Sequence, residues 1–310
     1  MAVTLHIVGC GRVGQSLARL WADAGTFSIG RVVNRSVASA RRAVDFIGQG
    51  SAVESLGAVA AGDWLMLAVP DSRLEATVET IAGTIAGTIA ESIARTNGHA
   101  RPGLVFHVSG AEPAEILRPI GSPAASVHPV CPFSDPARAI ETFPGSYALG
   151  EGDDEALDRL LPAFAGIGAE TMRFSPIDKR RYHAATVAAS NFLNVLDDLA
   201  LSLAESAGLA PDQALRVIVA LQRAGLANIE RAGPVLSLTG PMERGDRAVC
   251  QRLADTPGVA ESDLFMALAR AAVDLAERKH GRSSEYLPDP LREVFAAPGI
   301  VGTGGPDGSV

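Results

Sequence analysis

A glycine-rich hexapeptide near the N-terminus constrains this sequence most. Its residues are Gly9, Cys10, Gly11, Arg12, Val13 and Gly14. An apolar run, Val3–Val8, precedes it with the length of a buried strand, and residues 15–24 follow it with helical periodicity. In such a strand-loop-helix unit the first glycine permits a tight turn, the second lets the backbone approach a pyrophosphate, and the third allows close packing of the helix. The hexapeptide therefore predicts a dinucleotide site at a helix N-terminus.

Strand-like and helix-like runs alternate up to about residue 170, a pattern typical of a parallel sheet covered by helices. The predicted strands are 3–8, 29–33, 64–69, 104–108, 125–128 and 146–149, and the first two predicted helices are 15–24 and 36–46. From about residue 175 the strand signal almost disappears, and the segments 178–207, 211–230 and 262–280 are long and helix-periodic. We expect an α/β protein with a Rossmann-type, doubly wound, mostly parallel sheet (residues 1–174), an all-helical substrate and dimerisation domain (175–298) and a loose tail (299–310).

A four-residue repeat, TIAGTIAGTIAESIA, occupies residues 80–94. It places Ile81, Ile85, Ile89 and Ile93 on one slowly rotating face of a helix. The face is either a ridge for a partner or the buried side of a crossover helix lengthened by duplication. A doubly wound fold requires a helix here, which favours the crossover helix.

Composition and charge exclude several classes of function. Hydrophobic residues make up 47% of the chain and charged residues 20%, which is typical of a protein with a substantial core. The formal net charge of −8 disfavours nucleic acid and anionic membranes as partners. No window reaches the ~18 uninterrupted apolar residues of a membrane span, and the N-terminus lacks the cationic segment of a signal peptide. Three widely spaced cysteines match no metal-ligand spacing and suit a reducing compartment, so we expect a cytoplasmic protein without a metal site.

The residues after the second predicted strand discriminate between the two nicotinamide cofactors. An NAD site usually carries a carboxylate there for the ribose hydroxyls. This chain carries Asn34, Arg35 and Ser36 instead. A guanidinium forms paired hydrogen bonds with a 2′-phosphate, whereas a carboxylate would repel it. The sequence therefore predicts NADP, bound by Arg35 with hydrogen bonds from Asn34 and Ser36.

Later strand ends should complete the pocket, because ligands of such sheets bind at the carboxyl ends of the strands. Val69, Pro70 and Asp71 follow one predicted strand, and Ser109 and Gly110 follow the next. We expect all five to bind the cofactor, with Ser109 and Gly110 beside the nicotinamide. His128 ends a further predicted strand and is a candidate catalytic residue, although a histidine in this position is often structural.

A narrow polar stripe runs along the first long helix of the predicted helical domain. Its members are Lys179, His183, Thr186, Ser190 and Asn194, which fall within about 80° of one another on a helix. Because unsatisfied buried polar groups are costly, the stripe faces water, a functional site or another helix. The pattern leaves these alternatives open.

If the stripe faces the nicotinamide, it can catalyse the reduction of a ketone. Hydride transfer leaves a developing alkoxide, which needs a proton donor or a fixed cation. Lys179 and His183 are candidates for that role, and Ser190 or Asn191 can orient the substrate. Arg244, in a predicted loop between helices, can bind a substrate carboxylate or form a structural salt bridge.

Together these motifs resemble a bacterial family that pairs a Rossmann-like domain with a helical domain of unknown function. The family is similar to 6-phosphogluconate dehydrogenase-like and ketopantoate reductase-like proteins. The motifs that carry the resemblance are GCGRVG at 9–14, AVPD at 68–71, HVSGA at 107–111, HP at 128–129, YHAATVAASN at 182–191 and LTGPMERGD at 238–246. The resemblance as a whole covers the chain from about residue 3 to about residue 280.

The resemblance implies an NADP-dependent oxidoreductase that forms a homodimer and acts on a small molecule, and some members are thought to be alternative ketopantoate reductases in pantothenate synthesis. In the broader group a lysine and an asparagine one helical turn later serve the substrate carbonyl. Lys179 matches that lysine, His183 stands where the asparagine is expected, and Asn191 fits a further asparagine. Cys131 also departs from the pattern, since a polar residue is expected there.

Three hypotheses follow. The leading one is NADPH-dependent reduction of a small 2-oxo acid, with ketopantoate as the best single candidate. The second is prephenate-dehydrogenase-like oxidation in which His128 polarises a hydroxyl group. The third, from another class, is an NADP-binding sensor or scaffold that performs no reaction.

Overall fold

The structure, a computed structural model, describes residues 2–93, 101–174, 177–281 and 286–296, and within 88–93 only the backbone. The strands are β1 (Val3–Val8), β2 (Phe27–Val33), β3 (Ser51–Val53), β4 (Trp64–Leu67), β5 (Leu104–His107), β6 (Ala124–Val130), β7 (Tyr147–Gly152) and β8 (Glu170–Arg173). The helices are α1 (Arg12–Asp23), α2 (Val37–Ile47), α3 (Asp71–Ile93), α4 (Pro136–Thr142), α5 (Asp154–Ala165), α6 (Lys179–Ser206), α7 (Pro211–Ser237), α8 (Arg247–Ala254), α9 (Asp263–His280) and α10 (Asp289–Val294). A 3-10 helix covers Ala114–Ile120.

The eight strands form one sheet in the order β3-β2-β1-β4-β5-β6-β7-β8. All neighbouring strands are parallel except β6 and β7, which are antiparallel. The predicted doubly wound, mostly parallel sheet followed by helices is therefore confirmed. The order reverses between β1 and β4, so the loops that follow these strands flank the crevice in which such folds bind ligands.

Two strands that the sequence analysis missed lie near the edges of the sheet. β3 and β8 are short, and most of their residues are exposed or half-buried, so neither produces an apolar run. β6 was also predicted too short. It continues to Val130 because its last residues pair with β7, so His128 lies inside the strand and pairs with Leu149.

The core on one face of the sheet surrounds Trp21, a fully buried residue of α1. Its ring meets Phe27, Phe106 and Phe164 edge to face, with centroids 5.1–6.2 Å apart, which is the preferred geometry for aromatic pairs. Its indole nitrogen donates to the carbonyl of Ala163 at 2.9 Å, so the buried N–H is satisfied. This packing fixes α1, and with it the glycine loop that precedes it.

The isoleucine repeat lies on α3, which connects β4 to β5 as the predicted crossover helix. Ile81 and Ile85 are buried in a cluster with Leu65, Leu67 and Val105 of the sheet. The side chains of Ile89 and Ile93 lie outside the described residues, as does the tail predicted for 299–310.

The chain divides into two compact units, Met1–Asn191 and Phe192–Val310. The division falls within α6, whereas the strand signal of the sequence ends near residue 175. The second unit is helical throughout its described part, and α7 extends past the predicted end at residue 230 through a kink at Gly233, where φ is +75°. Of the described helices, α6 alone has the length and mean hydropathy (1.2) of a membrane span.

Candidate active site

The glycine loop has the local geometry that its sequence predicts. Gly9 has a φ of +86°, and a Cβ there would lie 2.5 Å from the backbone nitrogen of Val69. A Cβ on Gly14 would lie 3.2 Å from the carbonyl oxygen of Gly9. Gly11 precedes α1 and faces open space, with no atom within 4 Å of its Cβ position. Gly9 and Gly14 therefore serve packing, and Gly11 leaves room for a ligand.

The loop borders a cavity of about 800 Å³ at the carboxyl ends of β1, β2, β4 and β5. Most of the residues predicted to bind cofactor line it: Gly9, Cys10, Gly11, Arg12, Val13, Asn34, Arg35, Val69, Pro70, Asp71, Ser109 and Gly110. Gln15, Ser39, Arg42 and Phe133 line it as well. The structure thus brings together segments that are more than a hundred residues apart in sequence, from Gly9 to Phe133.

Asn34 and Ser36 make their hydrogen bonds within the protein. The side-chain oxygen of Asn34 accepts the backbone N–H of Cys10 at 2.6 Å, so this residue supports the glycine loop. Ser36 caps α2 and accepts the backbone N–H of Ser39 at 3.3 Å. Neither contact was expected from the sequence, which assigned both side chains to the 2′-phosphate.

The positive charge beside this wall of the cavity comes from Arg35 and Arg42. Both are exposed, and neither forms an ion pair with any residue that the structure describes. Neither Arg42 nor Ser39 is among the residues predicted from the sequence to bind a cofactor. Their spacing of three, which places them on one face of α2, is the signal that could have revealed them.

Cys10 borders the cavity, but the whole residue is only 1% exposed. Burial raises the pKa of the Cys10 thiol to about 12. The thiolate is the reactive form of cysteine, so this residue serves as a small apolar group in the core.

Lys179, the first residue of α6, is buried against the sheet. Its Nζ donates to the carbonyl oxygen of Ser109 at 3.0 Å and to the hydroxyl of Ser126 at 2.8 Å. Burial lowers its pKa, while the nearby carboxylates of Glu151 and Asp71 act in the opposite direction. At its N-terminal end the polar stripe therefore faces the loop that follows β5. The sequence missed Ser126, which lies on β6 two residues before His128.

His107, at the end of β5, orients the same loop. Its Nδ1 accepts the backbone N–H of Ser109 at 3.2 Å, and its Nε2 lies 3.2 Å from the carbonyl oxygen of Pro113. These partners assign the neutral tautomer with the proton on Nε2. Burial lowers the pKa of His107 to about 4, so it is uncharged at neutral pH.

Two histidine rings converge on Gly110. A Cβ on Gly110 would lie 2.7 Å from Nδ1 of His183 and 2.9 Å from Nε2 of His128. The Nδ1 of His128 lies 2.7 Å from the phenolic oxygen of Tyr182, and the two histidine ring centroids are 6.3 Å apart. Glycine at position 110 thus allows both rings to approach the backbone at the edge of the cavity. Tyr182 was missed, although it stands beside His183 in the sequence.

His128 is a neutral hydrogen-bonding group in this setting. Burial lowers its pKa to about 4, and the positive charge of Lys179 and the proximity of His183 add to the effect. A neutral imidazole carries one proton and one lone pair. His128 can therefore donate a proton to a developing alkoxide without first being charged.

The remaining predicted site residues are further along the chain. Ser190 and Asn191 are exposed on α6 within the first unit, and Arg244 is exposed in the second unit, where its backbone N–H donates to Gly240 at 3.0 Å. Their roles toward a substrate stay predictions.

The donors around the cavity fit a phosphorylated dinucleotide. α1 carries no acidic residue in its first turn, so no carboxylate of the helix itself opposes the positive potential of its N-terminus beside Gly11. The guanidinium groups of Arg35 and Arg42 provide a second anion-binding wall. Both features favour negatively charged phosphates at two separate points of one cavity.

Family models match both halves of the chain. Residues 2–129 match a Rossmann-like domain, and residues 146–274 match DUF2520, a domain of unknown function. No curated protein matches the sequence.

Solved structures share the fold at low sequence identity. Protein TM1727 of Thermotoga maritima is 23% identical, with a TM-score of 0.61 over 89% of this chain and 99% of its own. BF3122 of Bacteroides fragilis, named as a candidate NADP oxidoreductase, is 21% identical, with a TM-score of 0.67 over 88% and 98%. Pyrroline carboxylate reductase of Plasmodium falciparum, solved with NADP bound, is 10% identical, with a TM-score of 0.53 over 95% and 100%.

Proposed function

We propose that this chain, in which a Rossmann-like domain is followed by a DUF2520 domain, is an NADPH-dependent reductase of a small 2-oxo acid. Ketopantoate is the first substrate to test. One observation carries the proposal: Lys179 and the rings of His128 and His183 converge on the Ser109–Gly110 loop, which lines the same cavity as the glycine loop.

Some residues of the cavity bind the cofactor in this proposal, and residues at its edge carry out proton transfer. Gly11 and the N-terminus of α1 hold the pyrophosphate, and Arg35 with Arg42 holds the 2′-phosphate. NADPH, when bound, supplies a hydride to the carbonyl carbon. His128 or His183 then supplies a proton to the oxygen, and the ammonium of Lys179 stabilises its negative charge. The residues proposed to position the substrate are Ser190, Asn191 and Arg244.

The test is consumption of NADPH by the purified protein. We expect its absorbance to fall in the presence of ketopantoate or another 2-oxo acid, and calorimetry to show tighter binding of NADPH than of NADH. The panel includes imines, because an imine reductase of Streptomyces aurantiacus shares the fold at a TM-score of 0.53 and 17% identity. Absence of consumption across the panel would overturn the proposal.

The same assay, together with binding and cellular measurements, distinguishes the two competing hypotheses. Reduction of NADP⁺ upon addition of prephenate or a related hydroxylated acid would indicate dehydrogenase chemistry at His128. Tight NADPH binding without turnover, with cellular function intact after Lys179→Ala and His183→Ala together, would indicate a sensor or scaffold.

We also propose that the protein is a cytoplasmic homodimer. The second unit exposes large apolar side chains along α6 and α7, among them Phe192 (61% exposed) and Leu221 (69% exposed). Phe192, Val195 and Leu196 are all exposed and are three and four residues apart on α6, so they form one apolar surface. Apolar surfaces of this kind mark interaction sites. A second copy is favoured over a lipid surface because the chain carries a net charge of −8.

Light scattering tests the homodimer. We expect twice the chain mass of 32.0 kDa for the wild type and the single mass for Phe192→Glu combined with Leu221→Glu. Leu287→Glu is the matched control, since Leu287 is 62% exposed but lies outside α6 and α7. A monomeric wild type, or binding to anionic vesicles, would contradict the proposal.

A further inference from the structure

Tyr182 contacts the ring of His128 and has no role in the chemistry proposed above. Its phenolic oxygen lies 2.7 Å from Nδ1 of His128. Its ring meets His128 edge to face at 5.6 Å and Phe174 at 5.4 Å, so aromatic packing on two sides holds the hydroxyl at the histidine. A distance of 2.7 Å is typical of a well-formed hydrogen bond.

The opposite nitrogen of His128 points toward the proposed reaction site. Nε2 lies 2.9 Å from the Cβ position of Gly110, and Gly110 lines the cavity. A neutral imidazole carries its single proton on only one nitrogen. If the phenol donates to Nδ1, the proton of His128 must be on Nε2, facing Gly110.

The other two candidate donors lack such a supply of protons. Lys179 already donates to Ser109 and Ser126. Nδ1 of His183 is buried and has no hydrogen-bond partner among the described residues. Of the three, His128 alone is in contact with a phenol, and a phenolic hydroxyl, with an ordinary pKa of about 10, is acidic enough to replace the proton that His128 gives up.

We infer that Tyr182 and His128 form a two-residue proton relay, in which Tyr182 fixes the Nε2–H tautomer of His128 and restores its proton after transfer. The inference rests on the proposed reductase function and deepens it. It selects His128 as the general acid. Tyr182, which was not among the predicted site residues, becomes a positioning residue that acts through His128.

The relay balances in protons and electrons. When a hydride from bound NADPH forms the new C–H bond, the π pair of the substrate carbonyl would become a lone pair on its oxygen. The Nε2–H bond of His128 breaks as an O–H bond forms on the substrate. The phenolic O–H bond of Tyr182 breaks as an N–H bond forms at Nδ1. Nε2 of His128 then takes a proton from water in the cavity, and the proton on Nδ1 returns to the phenolate of Tyr182. These two transfers restore both the phenol and the Nε2–H tautomer.

Nitrogen NMR of ¹⁵N-histidine-labelled protein tests the hydrogen bond without any substrate. We expect His128, identified by the loss of its signals in His128→Asn, to show an unprotonated Nδ1 and a protonated Nε2. In Tyr182→Phe, which keeps both ring contacts, we expect the Nδ1 resonance to shift and the tautomers to mix. A protonated Nδ1 in the wild type, or an unchanged spectrum in Tyr182→Phe, would overturn the inference.

Kinetics then test the relay. We expect Tyr182→Phe to lower kcat about 10- to 100-fold, within the range of general acid catalysis, with less than a threefold change in KM. Tyr147→Phe, a change at an exposed tyrosine of β7, should leave both constants unchanged. An active wild type with an unchanged kcat in Tyr182→Phe would refute the relay alone. An inactive wild type would refute the reductase function, and with it the relay, whatever the tautomer.

Discussion

Lys179 and Ser126 are 53 residues apart in sequence, yet the Nζ of the first donates to the hydroxyl of the second at 2.8 Å. This bond and the contact with Ser109 tie the start of α6 to the sheet.

We expect Lys179→Met to lower kcat/KM by about 100-fold or more, because it removes a fixed positive charge beside the developing alkoxide. Arg180→Met, at the exposed neighbour of Lys179, should retain activity within about twofold. Equal losses in steady-state assays of the two variants would show that charge on α6 acts nonspecifically.

The preference for NADPH over NADH should reside in Arg35. Because charge-assisted hydrogen bonds contribute about 1.5–3 kcal/mol, Arg35→Ala should weaken NADPH binding roughly 10- to 100-fold. NADH, which lacks the 2′-phosphate, should bind as before. Arg41→Ala is the control, since Arg41 is exposed on α2 but does not line the cavity. Calorimetric titrations that show the same loss for both cofactors would contradict this assignment.

The two glycines at the start of the loop should respond differently to alanine. Gly9→Ala introduces a Cβ 2.5 Å from the backbone of Val69 at a positive φ, so we expect a loss of about 1–3 kcal/mol in the free energy of unfolding. Gly11→Ala meets no neighbour within 4 Å and should unfold at nearly the wild-type urea concentration. Its methyl group should nevertheless weaken NADPH binding at least tenfold, because it occupies the approach of the pyrophosphate. Unimpaired binding by Gly11→Ala would place the cofactor elsewhere.

Folding stability should depend on pH through His107. Its pKa is about 4 in the folded protein and 6.5 without burial, so the unfolded chain binds more protons between these values. The stabilisation is fully present above pH 6.5 and is lost as the pH falls toward 4, by roughly 3 kcal/mol. His128 has a pKa lowered to about the same value and acts in the same direction.

Urea titrations across this pH range measure the effect. His107→Gln removes one titrating group and should flatten the pH dependence by about half, because His128 continues to contribute. A variant with the full wild-type slope would show that other groups control acid stability.

The sequence predicts the glycine loop well because the required conformation is local. Gly9 needs a positive φ and Gly14 needs close packing, and both demands are met within one strand-loop-helix unit. The sheet was predicted for a similar reason, since each central strand is a separate apolar run. The edge strands β3 and β8 pair through their backbones and bury few side chains, so they leave little trace in hydrophobicity.

The candidate chemistry was harder to predict because it depends on contacts between distant segments. Helical periodicity predicts that Lys179 and His183 share one face of α6. It could not predict that the hydroxyl of Ser126 accepts a hydrogen bond from the ammonium of Lys179. The position of His128 depends on how far β6 pairs with β7. Tyr182 was not predicted because its role depends on contact with His128 on another element. Arg42 was not predicted because its role depends on the shape of the cavity that it lines.

The burial of Cys10 has a consequence for chemical sensitivity. A thiol with a pKa of about 12, in a residue that is only 1% exposed, presents almost no thiolate to peroxide or to alkylating reagents at neutral pH. The chain therefore places sulfur within the wall of the cavity beside the glycine loop without creating a target for oxidants at this position. Cofactor binding should persist through oxidative stress that inactivates enzymes whose nucleotide sites carry accessible cysteines.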